Sequence, residues 1–246
     1  MDCLRVFVLG PARSGTSAIL LALHDVFALS GEGESHVIPA FQRAIYQFSV
    51  YCEQLGAGEG ILARQLDPLD FRDYVIRYMR DFYAKAFPAG GFVDKTPGAE
   101  AIAGAPLIRL AFPEARIILT RRSGIAVVQS HVGKFNVEFA EACRGWAACM
   151  QAIQEARPAT ADLLELDQQE LATAPEEAAI RLCRYLRRPE RSGELARYFR
   201  ANRADSSSQH DWGRTPRLDD TGWTDAQKQT FREICGAHMA AFGYAM

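Results

Sequence analysis

One stretch constrains the fold of this chain more than any other: Val6-Phe-Val-Leu-Gly-Pro-Ala-Arg-Ser-Gly-Thr-Ser-Ala18. The apolar run Leu4 to Leu9 has the length of a buried strand, and Gly10-Pro11 breaks it. Thr16 to Leu23 is rich in good helix formers. Strand, glycine-bounded loop and helix start together make a cradle for an anion. Loop N–H groups and the free donors of the first helical turn converge on one spot, and the macrodipole favours negative charge there.

Gly10 and Gly15 bracket four residues, as in the nucleotide-binding loop G-x-x-x-x-G-K-[ST], but Thr16 stands where that pattern needs lysine. The loop's cation is Arg13 instead. A nucleoside-triphosphate hydrolase uses the missing lysine on the β- and γ-phosphates. The substitution turns the reading from hydrolysis towards the holding of one phosphate, with Arg13, Ser14, Gly15, Thr16 and Ser17 as candidate binders. The plain alternative is an ordinary strand-to-helix turn with a solvent-facing arginine.

The chain has 246 residues, 48% of them hydrophobic, and a net charge of −2. That composition suits one large globular domain or two small ones, and the charge argues against general nucleic-acid binding. No apolar run is long enough to span a membrane. The N-terminus enters a strand at once and lacks a signal peptide's basic-then-apolar pattern, so a cytoplasmic location is expected. The cysteines (Cys3, Cys52, Cys143, Cys149, Cys183, Cys235) show no C-x-x-C spacing and read as reduced core residues.

Downstream, residues 24–39 read as a flexible loop able to lie over the cradle. Phe41 to Leu55 follows as a helix. Asp67-Pro68 opens a second helix with Phe71, Tyr74, Val75, Tyr78, Met79 and Phe82 on one core-facing side. Gly91 to Pro97 is a short strand presenting Asp94, Lys95 and Thr96, and Pro97 to Leu110 is one helical piece. Arg116 to Thr120 and Asp162 to Leu166 are further strands, with helices from Ile125 and over Glu138 to Glu155 between them. Thr173-Ala-Pro-Glu176 and Thr224-Asp-Ala-Gln227 read as capping boxes. The arginine-rich stretch 181–203 reads as a solvated helix face, and residues 204–222 as a long loop.

Alternating strands and helices predict an α/β fold: a P-loop-like three-layer sandwich with a central, mostly parallel sheet. The expected organisation is one domain over 1–246, with a helical insertion on the acceptor side at about 40–88. Ligands of such sheets bind beyond the strands' C-terminal ends. Arg13, Lys95 and Arg122 each follow or end a strand, so three strands bring a cation to one edge.

At this point the residues resemble a known family. Ala12-Arg-Ser-Gly-Thr-Ser17 resembles the 5′-phosphosulfate loop of sulfotransferases that use 3′-phosphoadenylyl sulfate (PAPS). Arg122-Ser-Gly-Ile-Ala-Val-Val-Gln-Ser130 is similar to their 3′-phosphate motif. Gly31-Glu-Gly-Glu-Ser-His-Val-Ile-Pro39 aligns with a Gly-Glu-Glu-Thr-Arg-Val-Ile-Pro segment of the tyrosylprotein branch, placing Glu34 on the catalytic base. Lys95, in Asp94-Lys-Thr-Pro97, matches the catalytic lysine. Two positions depart from that branch: His36 replaces an arginine, and Ile125 replaces a third basic residue after Arg122.

The resemblance implies in-line transfer of a sulfuryl group from PAPS to an acceptor hydroxyl on a sugar, lipid, natural product or tyrosine, without a metal. Arg13 and Lys95 would stabilise the departing phosphate. Arg122 and Ser130 would hold the 3′-phosphate, and Glu34 would be the general base with His36 in reserve. His131 lies within possible reach of the donor. The competing readings are a P-loop-like nucleotide or small-molecule kinase, against which Thr16 counts, and a non-catalytic nucleotide-binding protein.

Overall fold

The computed structural model describes residues 3–31, 33–55, 67–160, 162–202 and 216–246. Within them, β1 (Arg5–Gly10), β2 (Phe92–Pro97), β3 (Arg116–Arg121) and β4 (Leu163–Asp167) form one sheet in the order β2-β1-β3-β4. Every pairing is parallel, so all four C-terminal ends lie along one edge. Parallel neighbours need long crossovers, and helices supply them here.

Residue alternation along the strands makes two cores. Phe7, Leu9, Ile117 and Leu119 enter one, while Val6, Val8, Val93 and Ile118 enter the other. The second core is closed by α1 (Thr16–Phe27), α8 (Gln168–Thr173), α9 (Pro175–Tyr185) and α10 (Ser192–Ala201). The first takes α2 (Val37–Leu55), α3 (Pro68–Ala86), α4 (Ala99–Ala103), α5 (Ala105–Ala111), α6 (Gly124–Phe135), α7 (Phe139–Ala159) and α11 (Asp225–Ala241). The result is a helix–sheet–helix sandwich with the parallel sheet central, as the alternation predicts.

Several local expectations hold. Asp67 caps α3 by accepting from the Leu69 N–H at 2.8 Å, with Pro68 in the first turn. Thr224 and Gln227 form the reciprocal capping box of α11. All six cysteines are free thiols; Cys143, Cys149, Cys183 and Cys235 are buried core residues, whereas Cys3 is exposed and Cys52 half-buried.

Others change. The helix expected from Phe41 begins at Val37, because Pro39 sits in the first turn, where no backbone donor is needed. The piece Pro97 to Leu110 divides at Gly104, where a Cβ would lie 2.4 Å from Ile38 Cγ2, so α2 approaches too closely for any side chain. Thr173 makes no capping box; its hydroxyl donates to the Gln169 carbonyl at 2.9 Å, and Ala174 precedes α9 without a side-chain cap.

The core face of α3 is Ile76, Met79 and Tyr83 rather than the expected aromatic stripe. Phe71 stacks on Phe48 at 4.1 Å between ring centroids, and Tyr78 and Phe82 meet Phe41. These rings serve the α2–α3 contact, and Tyr74 and Tyr78 are exposed. Most of the expected loop at 204–222 lies outside the described residues.

The largest departure concerns the loop after α1. Instead of ranging over the cradle, it runs beside β2 at the sheet's edge, with parallel bridges Ser30–Phe92 and Gly33–Lys95. Val93 N–H donates to the Ser30 carbonyl at 2.8 Å and Glu34 N–H to the Lys95 carbonyl at 2.6 Å. A Cβ on Gly31 would lie 1.9 Å from the Val93 carbonyl oxygen, so glycine permits the docking.

Candidate active site

The loop from β1 to α1 is shaped by its glycines and by contacts to the next strand. A Cβ at Gly10 would stand 2.3 Å from Thr120 Oγ1, so β3 can press against this point only because the side chain is absent. Gly15 is left-handed (φ 94) and precedes α1 without a side-chain cap. The first turn of α1 also holds no acidic residue. Its free N–H groups and dipole therefore offer an anion site that fits a bound phosphate. Gln168 packs under Gly15, with its Cγ 3.3 Å from where a Cβ would be.

The loop's side chains divide by direction. The Ser14 hydroxyl is buried, donates to the Pro11 carbonyl at 2.6 Å and lies 2.6 Å from Thr120 Oγ1. It ties the loop to β3 rather than opening towards a ligand. Thr16 is buried at the helix start and Ser17 is exposed. Arg13, itself in a left-handed conformation (φ 69), donates from Nε to Ser130 Oγ at 2.9 Å. Its guanidinium also lies 6.0 Å from the Phe135 ring centre.

Arg122 leaves β3 towards the same place, and its Nη1 donates to the Arg13 carbonyl at 3.1 Å. Arg122 is fixed from behind by Trp146, whose Nε1–H donates to the Arg122 carbonyl at 3.1 Å. The indole lies directly over Gly124, the first residue of α6. Thus Arg13, Arg122 and Ser130, expected from separate motifs, form one connected group.

The neighbouring Arg121 points elsewhere: it faces Asp167 at 3.7 Å and Glu165 at 3.8 Å, and donates to the Phe242 carbonyl. Ile125 is wholly buried in the apolar core and presents nothing to a ligand. His131 is held below the ordinary histidine range, first by burial and then by the Arg13 charge.

The second group sits on β2, next to β1. Lys95 faces the α1 side of the sheet and is nearly buried, and its Nζ donates to Glu34 Oε1 at 2.9 Å. The Lys95 hydrogen bond and charge hold the Glu34 carboxyl below the usual carboxylate range. His36 Nε2 approaches the other Glu34 oxygen at 3.9 Å.

The sequence places Asp94, Lys95 and Thr96 together at the end of a short strand. The strand's alternation instead sends Asp94 and Thr96 to the opposite face, where Asp94 accepts hydrogen bonds from Tyr83, Ser35 and Thr96. The period of two was readable in Phe92 to Pro97; the arrival of Ser35 and Tyr83 was not.

Among the described residues, no group of His, Cys, Asp or Glu could hold a metal ion, and no helix is long and apolar enough to cross a membrane. The fold is similar to that of the sulfotransferase domain of the Synechococcus PCC 7002 olefin synthase (18% identity, TM-score 0.56, covering 100% of this chain and 98% of that one). It is also similar to the sulfotransferase domain of the curacin biosynthetic pathway (15%, 0.56, 99% and 99%). A third likeness is to sulfotransferase STF9 from Mycobacterium avium (15%, 0.54, 100% and 78%). These identities speak for the fold alone, and no curated protein matches the sequence. The sequence profile of the sulfotransferase family, by contrast, matches residues 5–192, from the first strand through the start of α10, and the chain therefore belongs to the sulfotransferase family.

Proposed function

We propose that the protein transfers a sulfuryl group from PAPS to an acceptor hydroxyl, with Glu34 as general base. The observation that carries this reading is the Lys95–Glu34 ion pair at 2.9 Å on the α1 side of the sheet, one strand from the phosphate loop. A cation and a carboxylate are the two groups needed on either side of a moving sulfuryl group.

The donor supplies an activated sulfur–oxygen bond to phosphate; the chain supplies position and charge. The N–H groups opening α1, with Arg13, Thr16 and Ser17, would hold the 5′-phosphate, while Ser14 braces the loop from within. Arg122 and Ser130 would hold the 3′-phosphate. As the acceptor oxygen bonds to sulfur, the bridging bond breaks and negative charge gathers on the departing phosphate. Lys95 and Arg13 favour that state over the ground state. The acceptor's proton passes to Glu34, a role that contributes about 10²–10⁴-fold in such reactions.

Lys95 would exchange its carboxylate partner for the phosphate oxygen, leaving Glu34 free to accept a proton. The α2–α3 pair, which follows Glu34 directly and exposes Tyr46, Tyr74 and Tyr78, would form the acceptor side. The test is thermal unfolding with adenosine 3′,5′-bisphosphate. The ligand should raise the Tm, Arg13→Ala should abolish the rise, and ATP with magnesium should not be turned over. An unmoved Tm at millimolar ligand would remove the donor assignment.

A further inference from the structure

The segment that docks on β2 meets both faces of the sheet's edge. Glu34 reaches Lys95 on one face, and the next residue, Ser35, reaches Asp94 on the other. Asp94 is 3% exposed, and the hydrogen bonds that it receives come from hydroxyls: Tyr83 and Ser35 (2.7 Å) donate to Oδ2, and Thr96 donates to Oδ1 at 3.2 Å. The same Ser35 oxygen accepts from the Val37 N–H that opens α2, and Thr96 Oγ1 accepts from the His36 N–H, each at 3.3 Å.

Ser35 is flanked by two non-glycine residues in the left-handed region, Glu34 at φ 65 and His36 at φ 52. Side chains with a Cβ do not hold such a conformation unaided, and it persists where surrounding contacts over-determine it. A buried carboxylate is also a poor way to fill space, since an apolar side chain would pack there without a desolvation penalty. Both oddities are explained if the cluster exists to aim the residue beside it.

We propose that Asp94, Tyr83, Ser35 and Thr96 form a positioning device that fixes where the Glu34 carboxylate stands relative to Lys95. The inference rests on the reading of Glu34 as the general base. It makes Ser35 and Tyr83 positioning residues, acting on the reaction only through Glu34. Arg13, Arg122 and Ser130 are anchored by contacts outside the cluster, so these partners of the donor's phosphates stay in place when the cluster is altered.

The experiment is a carbon-13 carboxylate titration of Glu34, its signal identified by its loss in Glu34→Gln. The groups facing Glu34 are Lys95 from β2 and His36 from its own segment, and Lys95→Met shows the full effect of losing the cation. In Ser35→Ala and Tyr83→Phe the Glu34 titration should move upwards, part of the way to its Lys95→Met position, while Ser35→Thr should stay near the parent. Binding of adenosine 3′,5′-bisphosphate should not change. A Glu34 titration unmoved in both Ser35→Ala and Tyr83→Phe, whatever their Tm, overturns the proposal. An upward shift together with undiminished transfer in Glu34→Gln sustains the positioning and removes the base assignment instead.

Discussion

Gly124→Ala puts the support of Arg122 to a quantitative test. The new Cβ would lie 2.9 Å from Cε3 and 3.0 Å from Cδ2 and Cζ3 of Trp146, whose side chain is 1% exposed. Carbon atoms rest at about 3.5–4.0 Å, so the indole or the start of α6 must retreat by about 0.5–1 Å within a packed core. Overpacking of this kind costs about 1–3 kcal/mol. For a chain of this size, about 2–4 °C accompanies each kcal/mol, so the Tm should fall by about 2–12 °C. The displaced indole would also loosen its hydrogen bond to the Arg122 carbonyl and weaken binding of adenosine 3′,5′-bisphosphate.

Gly133, in the same helix, provides the control. A Cβ there meets nothing within 4 Å, so alanine should stabilise by about 0.5–1 kcal/mol through backbone entropy alone. Differential scanning fluorimetry of the two variants, with and without ligand, gives opposite signs if the reasoning is right. Equal Tm values, or a Gly124→Ala protein that binds the ligand as the parent does, would refute it.

Glu34→Gln should lower kcat by about 10²–10⁴-fold with donor affinity retained, measured by release of adenosine 3′,5′-bisphosphate from PAPS. Because Lys95 depresses the Glu34 carboxyl in the free enzyme, the acid limb of the parent's pH profile of kcat/KM for PAPS should lie below the ordinary glutamate range. In the residual activity of Lys95→Met, that limb should move to higher pH. Removing the Arg13 charge should raise the His131 pKa, read as an upward shift of its imidazole proton titration in Arg13→Ala. Ser14→Ala removes the buried bonds to the Pro11 carbonyl and to Thr120, leaving Thr120 Oγ1 only its 3.4 Å bond to the Leu9 carbonyl; it should cost about 1–3 kcal/mol by urea denaturation, and adding Thr120→Val should cost less than the sum of the single changes.

Local chemistry determined much of this protein before any folding is considered. The strand–glycine loop–helix unit at residues 6–18 follows from apolar run, break and helix propensity. The caps at Asp67 and Thr224 follow from side chains that reach only their own first turn. The parallel sheet follows from helices too long to be hairpin turns, and its shared C-terminal edge follows from the parallel pairing. Arg13, Lys95 and Arg122 stand out as candidates from their places at or after strand ends, whereas Glu34 is singled out only by the family resemblance of its segment.

Where those side chains point was decided only by contacts between distant parts of the chain. Ser14 looks like a phosphate ligand in sequence, yet Thr120, 106 residues away, turns its hydroxyl inward. Arg121 and Arg122 are indistinguishable as neighbours; Asp167, Glu165 and the Phe242 carbonyl take the first, and the Arg13 carbonyl takes the second. Phe71, Tyr78 and Phe82 have the spacing of a core stripe, but α2 claims them before the sheet does. The Gly-Glu-rich loop carries no strand pattern, and it becomes an ordered edge because β2 leaves unpaired N–H and C=O groups beside it. Propensity and capping act over one or two turns and can be read along the chain. The direction of a buried polar side chain depends on which partner satisfies it, and only the folded chain brings that partner near.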